Sequence, residues 1–346
     1  MSKIPNDPTV GKNSERLNEL AFSFKKSQAL AAALECDLFT ALSKDASTPQ
    51  EIAALCGIDA ETADRLLIIC KAMDLVAVVD GRNVNHDDVE RFLVREAPTF
   101  FGDYLRFTIG AEYDEWSGFA RTLSGVSADK PHSKLYEGDL DDPELAREFT
   151  TAGYNSSIAL AHRLAKRFDF SRFNHWLDFA GGSGCYAIAA CERQSGFRVT
   201  VKDHPNVVPV TTEFIAKHGL EDRITAQPGN FLEAADFPDD CDLISFITPL
   251  HWYLRDDVLA TLRRAYDALP AGGGILIVGY MLNDARSGPV DPAFYHLQAI
   301  SEGHYTGHVP SGPEYVSYLE EVGFAEAKYD WLLDNRLGLI EARKPA

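Results

Sequence analysis

The sequence predicts an α/β fold, with a doubly wound, mainly parallel sheet and a closing antiparallel hairpin, preceded by a mostly helical region. Three observations carry this. From Ser171 onward, apolar runs near 175–180, 197–202, 223–228, 241–247 and 273–281 alternate with helical stretches. That alternation is the signature of consecutive βαβ units. The run Leu177-Asp178-Phe179-Ala180-Gly181-Gly182-Ser183-Gly184-Cys185 reads as strand, glycine turn and helix start. Segments 324–333 and 336–343 flank Asp334-Asn335 and read as a hairpin after a helix near 311–322.

The elements before the sheet follow from periodicity and capping. Residues 1–14 are polar, contain Pro5 and Pro8, and lack the apolar core of a signal peptide, so a disordered tail is expected. From Arg16 to Leu42, Leu17, Leu20, Ala21, Phe24, Leu30, Leu34 and Leu38 recur at helical spacing and predict one long helix. Thr48-Pro49-Gln50-Glu51 is a capping box with proline at the first helical position. Gly57 stops that helix, and Asp59 caps a second one through Met73. Leu75 to Val79, Asp80-Gly81 and Arg82 to Asn85 then form a small hairpin.

Helix, turn, helix and hairpin make residues 15–97 winged-helix-like. The second helix carries Asp59, Glu61, Asp64, Arg65 and Lys71, which is no basic reading head, so a dimerisation module is expected rather than a DNA reader. Residues 98–170 are helical and aromatic-rich, suited to a linker that roofs a pocket. Residues 171–346 form the sheet domain.

Composition narrows the class. The 346 residues carry 33 basic and 52 acidic side chains, a net charge of −19, which repels nucleic acid and anionic membranes. No apolar run approaches the about 18 residues of a membrane span. Cys36, Cys56, Cys70, Cys185, Cys191 and Cys241 contain no CxxC pair, which fits reduced thiols and a cytoplasmic location rather than disulfides or zinc.

The glycine turn lets backbone approach a ligand closely, and the helix from Cys185 presents free N–H groups to it. Asp203 ends the next strand, where an acid accepts ribose hydroxyls of an adenosine-type ligand. Further along stand Asp203-His204-Pro205, Gly229-Asn230-Phe231-Leu232, Pro249-Leu250-His251-Trp252 and Ala268-Leu269-Pro270-Ala271-Gly272-Gly273, each beside a strand. This succession resembles the class I S-adenosylmethionine-dependent methyltransferases. More narrowly, it is similar to the caffeate-type and bacterial small-molecule O-methyltransferases with an N-terminal dimerisation domain. The resemblance covers nearly the whole chain.

The resemblance implies a Rossmann-like catalytic domain, S-adenosylmethionine as methyl donor, S-adenosylhomocysteine as product, a homodimer, a small-molecule substrate and no metal. Asp178, Ala180, Gly181, Gly182 and Gly184 would lie against the cofactor. Asp203 would hold the ribose, with His204 beside the adenine. Asn230 would contact the adenine amino group, Phe231 the adenine face and Thr248 the sulfonium region. His251 falls on the family's general base. Trp116, Tyr136, Tyr154, Trp252, Tyr253, Tyr295, His304 and His308 are the candidate substrate contacts.

Departures from the family pattern bear on the acceptor. The two glutamates that flank the histidine in the plant enzymes correspond to Gly279 and Val309, and Trp252 replaces the acid directly after it. A base without orienting carboxylates, among Trp and Tyr, suits an acceptor with no proton to lose. The leading expectation is a neutral thioether sulfur of a small acid, and the pattern is similar to the bacterial S-methyltransferase branch, which implies 4-methylthio-2-hydroxybutyrate as acceptor on the route to dimethylsulfoniopropionate. The alternative is a phenolic or enolic hydroxyl deprotonated by His251. A winged-helix regulator that senses S-adenosylmethionine ranks third, for want of a basic helix.

Overall fold

The computed structural model describes residues 14–125, 139–238, 240–301 and 304–346. The chain divides into two compact units that meet in sequence between Glu115 and Trp116.

The first unit opens with α1 (Glu15–Phe22), α2 (Phe24–Glu35) and α3 (Leu38–Ser43). The single long helix expected here is broken twice. At Ser23 the hydroxyl donates back to the Leu20 carbonyl at 2.9 Å, a bond that competes with the helical ladder. At Asp37 the backbone enters the left-handed region, φ 55°, which no α-helix accommodates.

Helix α4 (Pro49–Cys56) has its capping box: Glu51 N–H donates to the Thr48 hydroxyl at 3.2 Å, and Thr48 N–H to the Glu51 carboxylate at 2.9 Å. It ends on Gly57 in the left-handed region. Asp59 caps α5 (Ala60–Ala72), and β1 (Val76–Val79) and β2 (Arg82–Asn85) pair antiparallel across Asp80-Gly81. Both turn residues have positive φ, the twist a two-residue hairpin needs. Helix α6 (Asp87–Phe92) closes a core of Leu38, Phe39, Ile52, Leu67, Val76 and Val89. On α5 the Arg65 guanidinium is paired with Glu61 at 2.6 Å. Helix α7 (Gly102–Ser124) runs across the division between units.

The second unit contains α8 (Pro143–Arg167), β3 (His175–Phe179), α9 (Cys185–Arg193), β4 (Arg198–Asp203), α10 (Val208–Lys217), β5 (Ile224–Pro228) and β6 (Leu243–Ile247). It continues with α11 (Arg255–Ala268), β7 (Gly274–Tyr280), α12 (Val290–Gln298), β8 (Ile300–Ser301) and β9 (His304–Tyr305). Helix α13 (Gly312–Val322) and the hairpin β10 (Ala325–Leu333) and β11 (Leu337–Arg343) follow.

Seven strands form one Rossmann-like sheet in the order β10-β11-β7-β6-β3-β4-β5. Strands β3 to β7 are parallel, and β11 runs antiparallel between β7 and β10. The inner strands are apolar because helices cover both faces. Successive residues therefore feed opposite cores: Trp176 joins Ile188, Val199 and Leu276, whereas Leu177 joins Phe246, Leu262 and Ile277. Chain order reverses beside β3, whose neighbours are β4 on one side and β6 on the other. Ligands of such sheets bind at that switch point. Among the described residues, no helix is long and apolar enough to cross a membrane.

Candidate active site

The loop after β3 sits at the switch point, and its glycines are there for steric reasons. A Cβ on Gly181 would lie 2.7 Å from both Asp178 Oδ2 and Val201 Cγ1. Ala180, Gly182 and Gly184 all have positive φ, and Gly184 caps α9 from the left-handed region. The turn is pinned by Ala180 N–H to the Lys202 carbonyl at 2.8 Å and by the Thr211 hydroxyl to the Gly182 carbonyl at 2.6 Å.

Two carboxylates face this loop. Asp178 is fully buried; its Oδ1 accepts the Ser245 hydroxyl at 2.5 Å, while Oδ2 has no hydrogen-bond partner. Burial, reinforced by the nearby Asp203 charge, pushes its carboxyl up to about 7. Asp203 accepts Gly182 N–H at 2.7 Å on Oδ2 and His204 N–H at 2.7 Å on Oδ1. Burial raises its pKa, and these two amides oppose the shift. His204 Nε2 lies 3.4 Å from Asp141. A buried oxygen without a partner, next to a cradle that excludes Cβ atoms, fits a ligand that brings a hydrogen-bond donor and needs close backbone approach.

Beyond β5, Asn230 is exposed, and its Oδ1 accepts Leu232 N–H at 2.9 Å, a turn-forming bond. Phe231 is buried, edge-on to Tyr253 at 5.1 Å. At the end of β6, Thr248 has φ 69°, strained for a β-branched residue, and is held by its N–H to the Val278 carbonyl at 2.7 Å.

His251 follows within a short 3₁₀ turn, Leu250–Trp252, and is 2% exposed. Both ring nitrogens are buried without a hydrogen-bond partner. Its ring centre lies 4.5 Å from Trp252, 5.1 Å from Tyr280 and 5.4 Å from Tyr295. Desolvation brings the imidazole down to about 3, so it is neutral at physiological pH. The loop carrying Thr306 and Gly307 is tight against this turn: a Cβ on Gly307 would lie 2.5 Å from the His251 carbonyl oxygen.

The structure brings Trp252 and Tyr295 to His251, with Tyr295 stacked on Tyr280 at 3.8 Å and their hydroxyls 3.0 Å apart. Tyr280, absent from the sequence-based candidates, ends β7 on the side where ligands bind. His308 holds the Tyr253 carbonyl and the Tyr318 hydroxyl, each at 3.1 Å. The Tyr154 hydroxyl meets His218 Nε2 at 2.8 Å, and His218 Nδ1 meets Glu192 at 2.7 Å. Trp116 packs on Phe119 and Phe294. His304 lies in β9, and Tyr136 lies outside the described residues. Among the described residues, no group of three His, Cys, Asp or Glu side chains is arranged to hold a metal ion.

Comparison with known proteins follows the same lines. An O-methyltransferase domain model matches residues 118–325, and an O-methyltransferase dimerisation domain model matches residues 18–95. The 3-hydroxy-5-methyl-1-naphthoate 3-O-methyltransferase of Streptomyces sahachiroi is 30% identical over 315 residues, 90% of each chain. The N,N-dimethyltransferase OxyT of Streptomyces rimosus is 28% identical over 355 residues, the full length of both. The human N-acetylserotonin methyltransferase, solved in complex with SAM (S-adenosylmethionine), superposes with a TM-score of 0.85 at 24% identity, covering 98% of this chain and 100% of its own.

Proposed function

The chain belongs to the O-methyltransferase family, an S-adenosylmethionine-dependent enzyme by that membership, and from this premise we propose that it methylates a phenolic or enolic hydroxyl of a small molecule with His251 as general base. Oxygen is favoured over the thioether sulfur expected from the sequence, because the family model is one of O-methyltransferases and the S. sahachiroi relative is named as a 3-O-methyltransferase of a hydroxynaphthoate.

The observation that carries the reading is His251 itself: buried, neutral and with both nitrogens unpartnered. A polar group left so is costly unless a ligand completes it, and an acceptor hydroxyl would donate to it. As the hydroxyl oxygen takes the methyl, its proton passes to the imidazole. The resulting cation would lie among Trp252, Tyr280 and Tyr295, 4.5–5.4 Å away between ring centres, and a ring that presents its face favours positive charge by about 0.5–2 kcal/mol. Aromatic walls thus take over part of the role of the carboxylates absent at Gly279, Val309 and Trp252.

The methyl donor supplies an electrophilic methyl group on a sulfonium. Gly181, Gly182 and Gly184 would admit it against the backbone, with Asp178, Ala180 and Thr248 beside it. Asp203 would hold the ribose, and His204, Asn230 and Phe231 would frame the adenine. The same reading includes a homodimer through residues 18–95, supported by Leu17, Leu20 and Phe22, which are more than half exposed on α1.

The test offers labelled S-adenosylmethionine with phenols, enols and thioethers and follows the label by mass. Phenol or enol labelling is expected. His251→Ala should lower that rate by ~10²–10⁴-fold, and the wild-type rate should be flat near neutrality, because the imidazole titrates near 3. Thioether labelling with no labelled hydroxyl would overturn the assignment.

A further inference from the structure

We propose that Lys202 is a positioning residue for the methyl donor: its ammonium fixes residues 229–236, the segment that frames the adenosine end of the site. Along β4, Val199 and Val201 enter one core, and Lys202 leaves the opposite face at 9% exposure. An ammonium on a strand flanked by β3 and β5 is costly unless hydrogen bonds replace its water. Here Nζ donates to the Asp236 carbonyl at 2.7 Å and lies 3.7 Å from Asp236 Oδ1. The second oxygen of that carboxylate, Oδ2, accepts Asn230 N–H at 2.7 Å.

These bonds fasten the segment at both ends. At its start, Gly229 N–H donates to the Asp203 carbonyl at 3.0 Å. Gly229 also lies against the lysine stem, where a Cβ would come within 2.7 Å of Lys202 Cδ. Inside the segment, Asn230 accepts Leu232 N–H on Oδ1 and Glu233 N–H on its carbonyl, each at 2.9 Å. At its end, the 3₁₀ turn Ala234–Asp236 carries the carboxylate back to Lys202. The Lys202 carbonyl meanwhile holds Ala180 of the glycine loop at 2.8 Å, and the next residue is Asp203. One residue thus joins the glycine loop, the candidate ribose acid and the segment that would bring Asn230 and Phe231 to the adenine.

Such an arrangement adds little to folding. Replacing a buried ion pair with apolar side chains of similar size often leaves stability unchanged or higher, and β4 is already paired through its backbone to β3 and β5. What the ammonium adds is order in residues 229–236. Where that segment is not fixed beforehand, a ligand must select the fixed form, and its apparent affinity falls with the fraction of molecules that hold it. The inference rests on the placement of the adenosine end proposed above.

The experiment compares the full-length wild type with Lys202→Met, which keeps the stem and removes the ammonium, and with Asp236→Ala, which removes the anchor of Asn230. Calorimetry measures Kd for S-adenosylmethionine and S-adenosylhomocysteine, urea titration measures stability, and hydrogen exchange follows the ligand-free amides of residues 229–236. Lys202→Met should raise both Kd values by the same factor, roughly 10-fold, with stability unchanged or higher. Exchange should quicken in 229–236 and not in β3 or β7, and saturating S-adenosylhomocysteine should suppress the difference. With the phenol labelled most strongly in the assay above as acceptor, KM for S-adenosylmethionine should rise by that factor while kcat stays within about 2-fold. Asp236→Ala should show the same split, and the double variant should lose no more than the weaker-binding single variant. An equal fall in kcat, a loss of stability that parallels the loss of affinity, or unchanged exchange in 229–236 would overturn the proposal. Absence of S-adenosylmethionine binding in the wild type would remove the cofactor placement and this inference with it, whereas equal binding by wild type and Lys202→Met removes this inference alone.

Discussion

Replacing Asp178 with asparagine isolates the charge state of the loop that would hold the methyl donor. Burial raises this carboxyl from 3.8 to about 7. The folded protein thus keeps a proton that the unfolded chain releases within that window. Its contribution to stability is complete below the unfolded value and is lost as pH rises through the folded one. At about 1.4 kcal/mol per unit, the loss approaches ~4 kcal/mol above pH ~7.

Asparagine is neutral throughout and keeps an acceptor for the Ser245 hydroxyl. It places an unpaired N–H₂ where Oδ2 now lies, at a pH-independent cost of about 1–3 kcal/mol. Asp178→Asn should therefore be less stable than wild type near pH ~4 and equal to it or more stable near pH ~8. His251 slopes the other way in both proteins. Desolvation brings its imidazole down to about 3 from its ordinary value of 6.5, so its contribution is present above the unfolded value and is lost as pH falls. That slope cancels in the difference. Urea denaturation of the ligand-free proteins across this range gives the comparison directly. Two curves that stay parallel would refute the burial argument.

Three further outcomes follow from local geometry. Gly181→Ala drives a methyl into Asp178 and Val201, each 2.7 Å away; overpacking of about 1–3 kcal/mol should lower the melting temperature and weaken S-adenosylmethionine binding in calorimetry. Thr248→Gly relieves a strained backbone at φ 69°; stability should rise by about 1 kcal/mol in urea titration while kcat falls, as the proposed place of this side chain near the sulfonium requires. Tyr154→Phe keeps the ring stacked on Phe214 at 4.1 Å and removes only the bond to His218; a loss of about 1 kcal/mol with unchanged turnover would mark that hydroxyl as structural.

The sheet was legible because its signals are local and repeated. Apolar runs such as Leu243–Ile247 and Gly274–Tyr280 need neighbours on both faces and so announce parallel strands. Capping chemistry at Thr48 and Asp59 marked helix starts to the residue, whereas the capping box at Ser311 emerged only in the structure. The breaks after α1 and α2 escaped, because apolar periodicity continues through Ser23 and Asp37 while the backbone does not.

At the candidate site, the glycine turn and the acid ending the next strand singled out Asp203, and the family resemblance singled out Asp178 and His251. Neither carried information on whether a side chain's polar atoms would be free. Asn230 spends its amide oxygen on a turn, and His308 is engaged with a carbonyl and a tyrosine hydroxyl. Tyr280 became visible only when β7 placed it against Tyr295.

Strand β11 also bears on how the chain comes into being. It completes the hydrogen bonding of β7, pairing Leu337 with Tyr280 through to Arg343 with Gly274. A ribosome delivers β7 first and β11 only after α12 and α13 have emerged. During that interval the chain carries an almost wholly apolar strand with one unpaired edge, a template for association with other nascent chains. Yield of active enzyme should thus depend on what shields this edge during synthesis, and substitutions in residues 337–343 should reduce recovery more than they change the activity of the molecules that fold.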